Sequence, residues 1–179
     1  MKFLRKPANT FSGENKKELA QIRWLTEFII FGLVISGVTA FPLLHELNLL
    51  VSFLVDETES LNADHYTGLA HWVLTVREGL DVTYAKYPFI AYGTDWLAFG
   101  HIIIALFFIP TYKEPVRYKY NYTVGVWAFV LVIPLALICG EVREIPIYWR
   151  FVDCMFGIIA LFPLFYIKHL IKKIEAKGG

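Results

Sequence analysis

The chain has 179 residues, of which 56% are hydrophobic and only 18% are charged, a composition too apolar for an ordinary soluble domain. The length leaves room for one domain, and a net charge of +1 without a patch of interleaved basic and aromatic residues excludes nucleic-acid binding. Two cysteines make neither a disulfide framework nor a zinc motif. The composition therefore predicts a protein whose solvent is the lipid bilayer.

The first part of the chain predicts a cytoplasmic tail followed by a membrane span. Residues 1–23 are polar and basic, with small residues that oppose a regular packed element. Residues 24–44 then supply the roughly 20 mostly apolar residues that a helix needs to cross the hydrocarbon. The basic tail is long and no good cleavage site follows it, so we expect this span to remain as a signal anchor. Pro42 is expected to end or bend the helix.

Residues 45–93 form a long link between the first and second spans, which we call the first connection. Arg77 and Lys86 are its basic residues, against eight acids if Asp95 is included. The apolar run 47–55 predicts a segment that lies on the membrane interface. Asn62 or Asp64 is predicted to cap an amphipathic helix that reaches Tyr84. A polar stripe follows one face of that helix: His71, Thr75, Glu78 and Asp81.

Three further apolar segments predict three more spans, at 94–110, 123–142 and 149–167. Thr94 is the expected N-cap of the second span, unless the residues before it extend the helix, and Pro110 is expected to terminate it. Pro134 and Pro163 interrupt the third and fourth spans, where a proline frees a carbonyl group and bends the helix.

The distribution of lysine and arginine predicts the orientation. The tail carries six, the loop between the second and third spans three, and the C-terminus four, which makes thirteen of the 17 on one side. By the positive-inside rule both termini are cytoplasmic. We therefore predict an all-α polytopic protein of a bacterial inner membrane, with residues 24–179 as one four-span domain and an amphipathic helix on its outer surface.

The strongly polar residues of the last three spans all fall toward the predicted outer end, which suggests a pocket there. Ionisable residues at membrane depth usually face the bundle interior. Candidate proton-transfer or hydrogen-bonding groups are Asp95, His101, Glu141 and Asp153. Candidate ligand-binding residues are Arg150, Arg143, Glu144, Trp96, Phe99 and Trp149. The alternative is a salt-bridge network that only fixes the packing of these spans.

Metal and cofactor sites find little support. Haem would need a second histidine at the depth of His101, and His45 at a helix end is the available partner. His65 and His71 are six residues apart and point to different sides of a helix, so no zinc spacing arises. Cys139 and Cys154 fall at similar depth, where free buried thiols are favoured over a disulfide. The sequence predicts no metal and no cofactor.

In layout the chain resembles the emopamil-binding-protein-like (EXPERA) membrane proteins. The shared features are the length, four spans with cytoplasmic termini, a long outer link before the second span, and prolines inside spans at Pro134 and Pro163. The resemblance implies a cavity between helices for a hydrophobic, sterol-like ligand, and it identifies no catalytic position.

Two functions follow as hypotheses. The first is binding or processing of a lipid-like or small amphiphilic molecule that enters from the outer leaflet, with Arg150 at its polar head. The second is a non-enzymatic accessory subunit, whose acidic first connection docks a membrane or periplasmic protein partner. Membrane lipids are expected partners in either case. Transport is disfavoured, because four short spans without an internal repeat offer little machinery for alternating access.

Overall fold

In the computed structural model, residues 15–56 and 60–178 are described, and over these ranges the chain is all-α, with helices joined by short turns. The apolar runs form helices because a helix satisfies its own backbone hydrogen bonds without water. Six α-helices are formed: α1 (Lys16–Ala40), α2 (Leu43–Leu54), α3 (Gly68–Lys86), α4 (Ala91–Lys113), α5 (Lys119–Val142) and α6 (Ile147–Gly178).

Among the described residues, four helices are long and apolar enough to cross a membrane: α1, α4, α5 and α6. At ~1.5 Å per residue even the shortest of them exceeds the ~30 Å hydrocarbon core. Large apolar side chains stand exposed along them, among them Phe31 at 64%, Trp127 at 62% and Phe162 at 72%. Such a surface is suited to lipid and would be unfavourable in water. The predicted fold class and the number of spans are confirmed.

Pro110 does not end the second span as predicted, because α4 continues to Lys113. The proline lacks the N–H that would bond to the carbonyl of Leu106, yet the helix continues through it. In the same turn the Phe107 carbonyl accepts hydrogen bonds from Thr111 Oγ1 at 3.3 Å and from Asn121 Nδ2 at 3.0 Å. Prolines are tolerated inside membrane helices, where side-chain hydroxyl and amide groups add hydrogen bonds to the backbone near them.

The start of the second span also differs from the simplest prediction. A 3₁₀ turn at Pro88–Ile90 leads directly into α4, so the residues before Thr94 extend the helix. Thr94 therefore lies inside the helix, where its hydroxyl donates to the Ala91 carbonyl at 2.7 Å. The prediction that Thr94 is the N-cap is wrong, and the extended alternative is confirmed.

The amphipathic helix of the first connection begins later than predicted. Asn62 caps only a 3₁₀ turn, Ala63–His65, by accepting a hydrogen bond from the Asp64 N–H. Extended backbone then leads to Gly68, whose φ of 63° is a left-handed conformation that glycine adopts without steric cost. The α-helix therefore starts at Gly68 and runs to Lys86 as α3.

The part of the chain that the structure describes divides into two compact units. The terminal unit contains the described residues up to Ile30 together with those from Leu106 onward. The central unit contains Phe31–Ala105. The long helices α1 and α4 contribute to both units, whereas α5 and α6 belong wholly to the terminal unit.

Buried polar groups join the helices of the terminal unit. Tyr122 of α5 is fully buried and its hydroxyl lies 2.7 Å from Thr26 Oγ1 on α1. Because Thr26 donates its proton to the Ile22 carbonyl, Tyr122 is the donor in this pair. Asn121 also donates to Thr111 Oγ1 of α4 at 3.0 Å. Three helices are thus tied together by hydrogen bonds inside the bundle.

The two long C-terminal helices pack closely against each other. A Cβ atom on Gly157 of α6 would come 2.7 Å from the Phe129 carbonyl oxygen of α5, which is too close for any side chain. Small residues that let backbones approach are a common device of membrane helices, where apolar burial alone does not drive association. At the ends of the helices, Glu18 of α1 pairs with Lys173 and Lys177 of α6 at 3.1 and 3.2 Å.

In the central unit a similar close approach joins α1 and α4. A Cβ atom on Gly37 would lie 2.8 Å from the Ala98 carbonyl oxygen and 2.9 Å from the Ile102 side chain. Ala98 itself is fully buried. The two backbones therefore touch at Gly37, and this crossing holds together the helices that carry the first connection.

Candidate functional site

The residues predicted as functional are divided between the two units. Four belong to the central unit: Asp95, Trp96, Phe99 and His101. Six belong to the terminal unit: Glu141, Arg143, Glu144, Trp149, Arg150 and Asp153. That these ten residues converge on one outer pocket stays a prediction.

Arg150 is a largely enclosed charge among the six residues of the terminal unit. Its side chain is 12% exposed, whereas its partner Glu141 is 75% exposed. One terminal nitrogen donates to Glu141, and Nε donates to the Ile145 carbonyl at 2.6 Å. The aliphatic stem crosses Gly140 so closely that a Cβ there would lie 2.8 Å from it. The arginine thus clamps the turn between α5 and α6.

That turn is a Schellman motif closed by Glu144. The Ile145 N–H bonds to the Gly140 carbonyl at 2.9 Å, and the Glu144 N–H bonds to the Glu141 carbonyl at 3.1 Å. Glu144 has a φ of 57°, a left-handed conformation that usually falls to glycine. The helix ends at Val142, as predicted for the third span, so Glu144 lies outside α5 and does not share a helical face with Glu141.

Asp153 and Trp149 are half-buried near the start of α6, and Arg143 is exposed. Arg150 and Asp153 stand three residues apart on one helix and therefore share a face. The ion pair of Arg150 is formed with Glu141 instead. Cys154 is buried and lies 3.8 Å from the Ile133 carbonyl, Cys139 is exposed, and both thiols are free.

The four residues of the central unit lie on the first half of α4. Tyr92, Trp96 and Phe99 form an edge-to-face series with ring centroids 5.9 and 6.1 Å apart. These rings are largely exposed, which is typical of an aromatic belt at a membrane interface. Asp95 and His101 are half-buried, and the His101 ring nitrogen Nδ1 lies 2.8 Å from the Leu97 carbonyl.

The central unit also contains a polar pocket that the sequence did not single out. Its volume is about 560 Å³ and it is open to the surface. Three of the four residues predicted as the polar stripe of α3 lie in its wall. The lining residues are Leu61, Asn62, Ala63, Asp64, His71, Thr75, Arg77 and Glu78. We call this the 61–78 pocket.

Two hydrogen bonds fix the wall of the 61–78 pocket. Arg77 Nε donates to Asn48 Oδ1 at 2.5 Å, which ties α3 to α2. The His71 ring nitrogen Nδ1 lies 2.8 Å from the Ala63 carbonyl, which ties α3 to the preceding 3₁₀ turn. Beneath them Val73 and Leu74 are almost completely buried and anchor α3. The polar side chains are therefore presented on a packed helix.

In the sequence, Arg77 contributed only to the number of basic residues in the first connection. A usable signal was present, because Arg77 is one of two basic residues in an acid-rich stretch and directly precedes Glu78 of the predicted polar stripe. The tertiary bond to Asn48 could not be read from spacing, because the two residues belong to different helices. Across residues 15–56 and 60–178, no group of three or more histidine, cysteine, aspartate or glutamate side chains could hold a metal ion.

Comparison with models of known protein families, with curated proteins and with solved structures finds no match for this chain. The resemblance to the EXPERA proteins therefore rests on layout alone. Any functional conclusion has to come from the geometry of the chain itself.

Proposed function

We propose that this is an integral membrane protein that binds a small amphiphilic or lipid-like molecule at its outer surface, with the polar part of that molecule in the 61–78 pocket. The observation that carries the proposal is the pocket itself, at about 560 Å³ with charged and neutral polar groups converging on it. Ligand sites for small molecules fall in the range of roughly 300–1,000 Å³.

An amphiphile also needs an apolar surface beside its polar site, and α2 offers one. Asn48 of α2 holds Arg77 at the pocket wall, so the two features are adjacent. Leu49 and Phe53 of the same helix are 49% and 78% exposed. An acyl chain lying along these side chains would remove both from water.

The distribution of positive charge supports an outward-facing pocket. Thirteen of the 17 lysines and arginines lie in the tail, the loop between the second and third spans, and the C-terminus. The positive-inside rule then assigns the first connection to the opposite, outer side. A ligand would reach the pocket from the outer leaflet of a bacterial inner membrane.

The sequence pointed to Arg150 as the residue that contacts the polar head of the ligand, but its surroundings favour a packing role. Two of its three guanidinium nitrogens donate to acceptors on its own hairpin, Glu141 and the Ile145 carbonyl. With a side chain only 12% exposed, it has little surface left for a ligand. Arg77 replaces it in the proposal as the cationic group at the ligand.

The rival function, an accessory subunit docking through the outer helix, would require an apolar strip on α3. The exposed large apolar residues of α3 are Leu69 and Val82, at 44% and 60%. At about 100° per residue they are separated by roughly 140° around the helix axis. They cannot form one strip, so the amphiphile is the better supported occupant of this region.

Photo-crosslinking tests the proposal. The full-length protein, reconstituted in nanodiscs, is irradiated with a diazirine phospholipid whose photoactive group is next to the headgroup, and cross-linked peptides are mapped by mass spectrometry. We expect cross-links concentrated on α2 and residues 61–78. Asn48→Ala, which releases Arg77, should lower their yield, whereas Ser52→Ala on the same helix should not. Cross-links spread evenly over α4, α5 and α6, with none on residues 61–78, would overturn the proposal.

A further inference from the structure

The 61–78 pocket contains groups of both charges. Arg77 supplies a guanidinium group, and Asp64 and Glu78 supply carboxylates. Among the described residues, Arg77 makes one hydrogen bond, through Nε to Asn48. Its two terminal nitrogens therefore remain as donors, in the planar arrangement that suits a phosphate group.

The carboxylates of the pocket are likewise open to a ligand. The described salt bridges do not include Asp64 or Glu78, and both residues are exposed. Arg77 in the same wall forms no ion pair with either of them within 4.0 Å. A pocket that keeps opposite charges apart can hold a ligand that carries both, because each end then meets its counter-charge.

His71 adds an acceptor on the same wall. Because its Nδ1 bonds to the Ala63 carbonyl at 2.8 Å, Nδ1 carries the proton in the neutral ring. The other nitrogen, Nε2, is then a hydrogen-bond acceptor. Together with Asp64 and Glu78 it supplies acceptors for N–H groups to a pocket whose lining also includes the Arg77 donor.

The lining also discriminates between kinds of cation. A quaternary ammonium has no N–H to donate and is usually held by aromatic faces. No phenylalanine, tyrosine or tryptophan is among the lining residues. A primary ammonium can donate three hydrogen bonds to carboxylate and imidazole acceptors, and so matches this wall.

We infer that the 61–78 pocket recognises a phosphoethanolamine-type zwitterion, with the phosphate against Arg77 and the primary ammonium against Glu78, Asp64 and His71. This inference rests on the proposed function, since it names the headgroup of the amphiphile. It involves binding only, and no bond is made or broken.

Titrations of the purified full-length protein in a non-ionic detergent test the inference. Four probes are compared: dihexanoyl phosphatidylethanolamine, phosphatidylcholine and phosphatidylglycerol below their critical micelle concentrations, and free O-phosphoethanolamine. We expect phosphatidylethanolamine to bind about tenfold more tightly than the other two lipids, the change that ~1.4 kcal/mol produces. The free headgroup should bind more weakly, because it lacks the acyl chains.

Two pairs of variants connect the binding to the pocket. Arg77→Gln should weaken all phosphate-bearing probes about tenfold, with partial recovery in Arg77→Lys, whereas Lys86→Gln on the same helix should change nothing. Glu78→Gln should remove the preference for phosphatidylethanolamine over phosphatidylglycerol, whereas Asp81→Asn should keep it. Circular dichroism and gel filtration confirm that each variant is folded before it is titrated.

The outcomes distinguish the assignment of the headgroup from the proposed function. If the lipids bind in an Arg77-dependent way but phosphatidylethanolamine and phosphatidylcholine bind equally, the zwitterion assignment is wrong and the proposed function stands. If free O-phosphoethanolamine binds as tightly as the lipid, the assignment of the headgroup stands, and the proposal that the ligand is an amphiphile is wrong. If no probe binds, or if Arg77→Gln and Glu78→Gln have no effect, both are overturned.

Discussion

The terminal and central units hold their helices together in different ways. In the terminal unit, buried hydrogen bonds such as that between Tyr122 and Thr26 join helices inside the bundle, and Arg150 closes the turn between α5 and α6. In the central unit the helices touch at Gly37, and the connecting hydrogen bonds, such as Asn48 to Arg77, lie near the surface.

This difference suggests that the two units have different roles. A buried polar bond in an apolar medium has few alternative partners, so it fixes one arrangement of helices. Surface bonds can exchange with water or a ligand at little cost, and ligand sites are commonly built on the less stable parts of a fold. Under the proposed function, the terminal unit is a scaffold and the central unit is the part that responds to a ligand. The following variants are ordered by the size of their expected effect.

The largest effect is expected where backbones touch in the central unit. Gly37→Leu forces a side chain into the Ala98 carbonyl, where even a Cβ would lie at 2.8 Å, and should lower the free energy of unfolding by about 3 kcal/mol. The measurement is unfolding in mixed detergent micelles, followed by circular dichroism. Gly32→Leu on the same helix is the control, because no atom lies within 4 Å of a Cβ there. Equal losses in the two variants would contradict a specific contact at Gly37.

Arg150→Met tests the scaffold role of the terminal unit. It removes the hydrogen bonds to Glu141 and to the Ile145 carbonyl, and should cost about 2 kcal/mol of stability, as for bonds made by charged groups. Lipid binding in the titrations described above should be unchanged. Arg143→Met, in the exposed part of the same turn, is the stability control. Loss of binding with unchanged stability would restore Arg150 as a ligand residue.

Tyr122→Phe removes one buried hydrogen bond without removing the ring. Thr26 keeps its bond to the Ile22 carbonyl, so no donor on Thr26 is left unsatisfied. We expect a loss of about 1 kcal/mol, within the range measured for bonds between membrane helices. Tyr120→Phe is the matched control, because its ring is 76% exposed on the same helix. If both variants unfold at the same detergent ratio, this bond does not stabilise the terminal unit.

The smallest effect should be a gain. Glu144→Gly relieves the left-handed backbone at a φ of 57°, and we expect about 0.5 kcal/mol of added stability after the extra flexibility of the unfolded chain is included. Glu141→Gly, one position before the end of α5 and in helical conformation, should instead lower stability. Thermal unfolding of both variants decides the point, and a loss in Glu144→Gly would show that this backbone is not strained.

The sequence predicted the architecture well, because the features that decide it are local. Runs of apolar residues specified four spans, and the third ends at Val142 as expected. Helix boundaries near prolines and caps were less reliable. Pro110 and Thr94 carry strong local signals, yet both lie inside α4, because prolines are tolerated inside membrane helices and the residues before Thr94 extend the helix.

The candidate site was predicted only in part, because it depends on contacts between distant segments. The polar stripe of α3 followed from helical spacing, and three of its four residues line the 61–78 pocket. The bond from Arg77 to Asn48 joins two helices, and a partner 29 positions away leaves no periodic signal. The same applies to Gly37, whose importance arises from α4 passing against it.

The most direct test of the central claim is a structure of the full-length protein in nanodiscs of phosphatidylethanolamine and phosphatidylglycerol, at a resolution that shows bound lipid. We predict headgroup density in the 61–78 pocket within hydrogen-bonding distance of Arg77, with an acyl chain running along Leu49 and Phe53 of α2. An ordered lipid bound elsewhere, with only solvent in the 61–78 pocket, would contradict the account.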